Sequence, residues 1–322
     1  MKKLLNAVCT AALLTFSASV VWAQPYPSKP VKIVVPFGPG GFTDVVARIL
    51  GVKLSESLGQ PVVIENKPGA GSTIGSDQVA KSNPDGHTLL IVSSTHVISP
   101  WIYKTIPYDP IKAFTPVTKL VDSPYVLLTN PKVPAKNVQE FIALAKAQPN
   151  GVHFASSGNG SAQHLIGGLF ASMTKTQLKH VPYRSSNLAA TDLVAGVVES
   201  SFAGVPNALA QVPNGRLNAL AVTSAKRIPQ LPNVPTMQEA GVPGYDATIW
   251  LALLAPAGTP ANIVNRLNSD VAKIMNTPET QKAMFDAGVQ VSLSTPDAMS
   301  QLMVSELDKW GKVVKEAGIK IE

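Results

Sequence analysis

Apolar and polar positions along this chain follow two periods in turn. Short β-rich runs predict strands at Val31–Pro36, Pro61–Glu65, His87–Ser93, Val152–Ser156, Leu178–Tyr183, Val197–Phe202 and Leu217–Ser224. Between them, helical spacing covers Asp44–Leu58 (through Val45, Ile49, Val52 and Leu58), Ser72–Lys81, Asn137–Ala147, Gln163–Met173 and Ala189–Ala195. Pro116–Asn130 gives two extended runs broken at Asp122-Ser123-Pro124. The tail predicts helices at Ala261–Asn276 and Pro296–Ala317 around a weaker one at Glu279–Ala287. Strand-helix alternation of this length implies α/β architecture with largely parallel sheets.

The start of the chain changes the picture first. Lys2 and Lys3 precede a mostly apolar stretch from Leu4 to Val21, and Val21-Trp22-Ala23 suits signal peptidase, which predicts export with cleavage after Ala23. That stretch is too short, and too soon followed by Pro25 and Pro27, to read as a retained membrane span. Cys9, the only cysteine, lies inside it, so the mature chain has no disulfide or thiol chemistry. About 300 residues remain, enough for two domains. The formal charge of +7 is scattered, without a Lys/Arg run, which argues against nucleic acid. A mild positive excess suits small anions.

Two stretches share one grammar about a hundred residues apart, IVVPFGPGGFTDVVARIL and VHFASSGNGSAQHLIGGLF. Each is a strand, a Gly/Ser-rich turn and a helix, and in open α/β sheets ligands settle beyond such strand ends. A helix start leaves backbone N–H groups unpaired and carries partial positive charge. Glycine lets a ligand approach that backbone closely. Gly38, Gly40 and Gly41, with Thr43 as N-cap, therefore form an anion cradle, and Ser156-Ser157-Gly158-Asn159-Gly160-Ser161 forms a second, capped by Ser161. Neither turn has the lysine of a phosphate loop, and GPGGFT lacks the last glycine of a dinucleotide fingerprint. A carboxylate fits better. An ordinary pair of capped connections is the other reading these turns allow.

Catalytic patterns are weak. GNGSAQ is no nucleophile elbow, because the serine follows the second glycine. His153 and His164 flank Ser161 without a visible acid, which leaves an exported serine hydrolase as the alternative class. His87, His96, His153, His164 and His180 never fall at paired metal spacing, so neither metal nor cofactor is expected. Asp44, in a first helical turn, is assigned to the helix start.

PYPSKPVKIVVPFGPGGFTD, ENKPGAGSTIG, NPDGHTLL, ASSGNGSAQH, ALAVTSAKR, LPNVPTMQEAGVPGY and APAGTP closely resemble the Bug proteins, the extracytoplasmic receptors of tripartite tricarboxylate transporters. The resemblance runs from Tyr26 to Glu322. It implies a periplasmic binding protein fold of type II-like form, two α/β domains with a ligand cleft and a hinge between them. It also implies two waters bridging a ligand carboxylate to the Gly-rich loops. The implied partners are a small carboxylate and the membrane components of the transporter, with no nucleic acid, and the receptor is expected to be a monomer. A receptor that signals instead of feeding a transporter is the remaining alternative.

The division expected is 1–23 signal, 24–123 with 226–322 as one domain, and 124–225 as the other, with crossings at Asp122–Val126 and Thr223–Lys226. Carried over onto this sequence, the ligand contacts implied are Phe37, Gly40 and Gly41 from the first loop and Ser157, Gly158, Gly160 and Ser161 from the second. Ser94, Thr95 and His96 follow the strand ending at Ser93, and Tyr183 sits in VPYR, where Ser185 and Ser186 replace the family's glycine pair. Ala203, beside Gly204, stands where the family often has an aspartate that could pair with a ligand amine. Its absence suggests a mono- or dicarboxylate, aliphatic or aromatic, without an amine.

Overall fold

The computed structural model describes residues 26–149 and 151–316, so the expected cleavage at Ala23 lies outside the described residues. Along the chain the elements are β1 (Val31–Val35), α1 (Phe42–Leu58), β2 (Val62–Asn66), α2 (Thr73–Ala80), β3 (Thr88–Ser93), α3 (Thr95–Ile98), β4 (Phe114–Ser123) and β5 (Tyr125–Thr129). There follow α4 (Val138–Ala147), β6 (Val152–Ser156), α5 (Ala162–Thr174), β7 (Leu178–Pro182), α6 (Ser186–Ala195), β8 (Ser200–Gly204), α7 (Val205–Gln211) and β9 (Asn218–Val222). The last are β10 (Ile249–Pro256), α8 (Ala261–Met275), α9 (Pro278–Asp286), β11 (Gln290–Val291) and α10 (Pro296–Glu316).

The strands form two sheets, a six-stranded one in the order β11-β4-β10-β3-β1-β2 and a five-stranded one in the order β7-β6-β8-β5-β9. The sheets are mixed rather than largely parallel. β1 pairs in parallel with β2 and β3, and β6 with β7 and β8, as βαβ units require. β10 is antiparallel to both β3 and β4, and β5 to both β8 and β9. The reason is topological. β5 enters the second sheet directly from β4, and β10 returns late to the first, so each sheet receives one strand from a crossing segment.

Both crossings meet at Thr223, which is fully buried. Its hydroxyl accepts the Tyr125 N–H (2.8 Å) and donates to the Ala247 carbonyl (3.0 Å), while its own N–H reaches the Tyr125 carbonyl (2.9 Å). Between Thr223 and Ala247 the chain stays with the second sheet. Val222 bonds across to this segment, donating to the Pro235 carbonyl and accepting the Met237 N–H, and Met237, Val242 and Tyr245 join the core around Phe141 and Phe170. α10 then spans both lobes. Met299 and Met303 pack in the first lobe with Trp250, and Trp310, Val313 and Val314 pack with the second-lobe aromatics. Among the described residues no helix is long and apolar enough to cross a membrane.

Trp310 has no exposed surface, and its indole N–H donates to Glu306 at 2.8 Å. Trp310→Ala is expected to lower stability by about 3–5 kcal/mol through the cavity it leaves, read as a shift in the denaturant midpoint.

Candidate functional site

The first Gly-rich turn leaves β1 and enters α1. Gly40 takes φ +75°, which glycine adopts without strain, and the helix begins at Phe42 behind Gly41. Gly41 is thus the N-cap where Thr43 was expected, and Thr43 is buried inside the first turn. The displacement has a cause in Asp44. Its buried carboxylate accepts the Gly40 N–H (2.8 Å), the Arg48 Nε–H (2.9 Å) and the Asn66 amide (2.9 Å), so a side chain within the helix fixes the turn from below. Asn66 also donates to the Phe37 carbonyl at 3.1 Å, tying the turn to β2. Burial pulls the Asp44 carboxyl upward, but the bonds from Arg48, Gly40 and Asn66 outweigh it and hold its pKa below the ordinary value. The amides of Phe42, Thr43 and Asp44 precede the first intrahelical bond, from Val45 N–H to the Gly41 carbonyl.

The second turn is held by side chains of the helix it precedes. Ser161 caps α5, its hydroxyl accepting from the His164 N–H. Gln163 accepts the Ser157 N–H at 2.8 Å, and His164 Nδ1 accepts the Gly160 N–H at 3.2 Å. His164 stacks on His180 with ring centroids 3.7 Å apart, and His180 Nε2 lies 2.5 Å from the Ser156 hydroxyl. Burial lowers the pKa of both rings, His180 to about 4 with His164 adding to the effect. Both are neutral at pH 7. With its Nδ1 occupied by a main-chain donor and Ser161 spent on the cap, His164 scaffolds the loop rather than serving Ser161 as a base, and His153 pairs instead with Glu199 at 3.1 Å.

Between the lobes lies a cavity of about 610 Å³. The first lobe contributes Pro39, Gly40, Gly41, Phe42 and Val45, and also Asp286 and Ala287 at the end of α9. The second contributes Ser157, Gln163, Ser185, Ser186, Asn187, Gly204, Pro206 and Asn207, and the crossing adds Ser123 and Tyr125. Several of these are helix starts. Ser185 caps α6, its hydroxyl accepting the Leu188 N–H, and Gly204 precedes α7. Burial pushes the Tyr125 phenol up to about 12, so it is a neutral donor. Among the described residues no lysine, arginine or histidine lines the cavity.

Of the residues anticipated for the site, Gly40, Gly41, Ser157 and Gly204 line this cavity. Gly158, Gly160 and Ser161 serve the internal bonds of their turn. Phe37 packs against the first-lobe core. Ser94 and His96 are fully buried, and Thr95 shares a 2.6 Å bond with Ser93. His96 stands between Tyr108 and Phe114 with Nε2 at 2.9 Å from the Pro110 carbonyl, and burial lowers its pKa to about 4. Tyr183 donates to Asp192 at 2.8 Å. Ala203 is buried in the second-lobe core, paired with Val126 across the sheet. Gln163, Asn187, Asn207 and Asp286 were not anticipated. The signals that could have found the second-lobe residues were local: Ser185-Ser186-Asn187 reads as a capped helix start, and Gly204-Val205-Pro206 has proline where a first turn tolerates it.

A family model described as the tripartite tricarboxylate transporter family receptor matches residues 46–319. The chain belongs to that family. Bug-type receptors are among its relatives, and Protein BugT of Bordetella pertussis is 39% identical over 307 residues, covering 95% of this chain and 94% of the relative. The structure of the periplasmic binding protein BugD superposes with a TM-score of 0.80 at 34% identity, covering 92% of this chain and all of that one. An R. palustris protein with adipate gives a TM-score of 0.83 at 36% identity and the same coverage. A Rhodopseudomonas palustris protein with bound malate gives 0.78 at 33%, covering 90% of this chain and all of the other. As a member of this receptor family, the protein is a solute-binding receptor and not an enzyme.

Because the folded pKa of Asp44 is depressed, its carboxylate stabilises the receptor above the ordinary carboxylate range and loses that contribution as pH falls through the folded value. Asp44→Asn is expected to lower stability by about 1–3 kcal/mol at pH 7. The gap to the wild type should close below about pH 4, as measured by denaturant unfolding at each pH.

Proposed function

We propose that this receptor captures a small organic acid in the periplasm, holds its carboxylate between the two Gly-rich turns, and delivers it to the membrane components of a tripartite tricarboxylate transporter. The observation that carries the reading is the interlobe cavity, with helix starts from both lobes and no basic side chain in its lining. Neutral donors in a partly dehydrated cleft suit a singly charged carboxylate, and a helix start adds favourable potential. The N–H groups of Gly40 and Ser157 are engaged by Asp44 and Gln163, which supports a reading in which water bridges, rather than these amides, meet the ligand carboxylate. The adipate and malate found with two neighbouring structures are acids of this size.

The expectation of an amine-free ligand rested on Ala203, whose side chain is in the core instead of the cleft. That basis is gone. Charge-assisted hydrogen bonds contribute about 1.5–3 kcal/mol each, so a few of them account for micromolar capture, near −8 kcal/mol. Closure is assigned to the crossings at Ser123–Tyr125 and around Thr223 and Ala247, where Thr223 joins all three strands of chain.

Melting temperature against a carboxylate library tests the reading, since a ligand that binds only the folded state raises it by mass action. At least one carboxylate should raise it, and a library in which only sugars or cations do so would end the proposal. Gly41 has ordinary backbone angles, and an added Cβ would meet only the Gly38 carbonyl at 3.4 Å. Gly41→Ala should therefore keep the fold and weaken the carboxylate at least about fivefold, a loss of about 1 kcal/mol. Gly160 has φ +70° and Ile102 close by, so Gly160→Ala should also cost about 1–2 kcal/mol of stability. Calorimetry and unfolding on both variants separate the two effects.

A further inference from the structure

We infer that the ligand is a monocarboxylate whose other end bears a hydrogen-bond donor (a hydroxyl, amide or ammonium group), and that Asp286 selects it. The inference rests on the carboxylate capture proposed above. The cavity has two chemically opposite walls. One is made by the first turns of α1 and α6, where a helix start leaves main-chain N–H groups to offer an anion and the lining side chains of Ser186 and Asn187 are uncharged. The other is the end of α9, where Asp286 and Ala287 line the same space.

The backbone makes that second wall an acceptor. Gly288 N–H bonds the Phe285 carbonyl (2.9 Å), Val289 N–H bonds the Met284 carbonyl (3.0 Å), and Gly288 sits at φ +76°. This is a Schellman closure, and it engages those two carbonyls while leaving those of Asp286 and Ala287 outside the motif. The helix dipole places negative potential at the same point. Asp286 itself pairs with Lys282 one turn back at 2.7 Å, but the two side chains are 57% and 75% exposed. A pair so exposed is weakly held and screened, so the carboxylate is free to turn toward a donor in the cleft. Across from it, Gly288 packs against Pro206 in the first turn of the seven-residue α7, a helix start too short to hold an anion by itself, and neighbouring Asn207 brings no charge.

A second carboxylate on this wall would meet an acid and a helix C-terminus, offset only by the exposed Lys282 outside the lining, since among the described residues no cation lines the cavity. Like charges held this close disfavour the wrong ligand strongly. A hydroxyl, amide or ammonium would instead donate to Asp286. Arg184, next to the lining Ser185, is exposed and does not line the cavity.

The test is calorimetric titration of adipate, of its ω-hydroxy monocarboxylate analogue and of its ω-amino analogue into wild type, Asp286→Asn and Arg184→Ala. Wild type should bind both monocarboxylates at least about tenfold more tightly than adipate. Asp286→Asn should raise adipate affinity about tenfold and lower that of the ω-amino acid by a similar factor, whereas Arg184→Ala should leave the ranking alone. Adipate binding wild type as well as the other two, or losing its affinity in Arg184→Ala, overturns the inference. If none of the three acids binds wild type, the inference also falls, while the capture of carboxylates is judged by the wider library.

Discussion

Among the described residues no basic side chain lines the cleft, and that constraint shapes the rest of the molecule. A lysine clamp tolerates a loose loop, because a long cation can follow its partner. Main-chain donors cannot follow, so in the proposed capture the turns that carry them, and any water they hold, must be placed in advance. The buried side chains around the cleft serve that placement. Asp44 fixes the first turn through the Gly40 amide, and Gln163 and His164 fix the second through Ser157 and Gly160. In each case the anchoring residue comes from the first turns of the helix that the loop feeds, so loop and helix start are positioned as one unit. Preorganised neutral dipoles of this kind lose little on binding.

The same logic explains why Asp44 is tolerable beside an anion site. Its charge is met at once by Arg48 and two neutral donors, so what reaches the cleft is a fixed loop rather than a bare negative charge. Asp286 is the contrast. Its partner is an exposed lysine on its own helix, and its carboxylate borders the cavity itself. One acid is consumed by structure and the other left available, though both sit at a helix end with a basic residue four positions away.

Much of the fold was legible because strands and helices alternate with clear periods, and both Gly-rich turns were found where the cavity now has walls. What escaped has physical reasons. IWLALLAP has no alternation, since β10 is buried on both faces in the middle of its sheet, and an unbroken apolar run does not announce strand or helix. Without β10 the antiparallel pairs of the first sheet go unseen, while those of β5 depend on how the crossing enters the second sheet, which no local pattern encodes. His96 was taken for a contact because it follows a strand end, yet the short helix there turns it into an aromatic cluster. Asp286 was invisible because its role depends on where α9 ends relative to the other lobe, which no local pattern encodes.

The crossings set how such a receptor can move. Thr223 ties Tyr125 to Ala247, and on the same side α10 joins Met303 in one lobe to Trp310 in the other. Separating the lobes there would expose continuous core, whereas beside the cleft Gly288 on Pro206 is a small contact. Burial is favourable in proportion to the apolar area removed from water, so rotation that opens the cleft costs far less than rotation that opens the back. The pivot therefore belongs at Thr223 and α10. Opening about that axis moves the end of α9 away from the second lobe's helix starts. A ligand reaching both walls would gain its second set of contacts only in the closed form, which is the differential affinity that any ligand-driven closure requires.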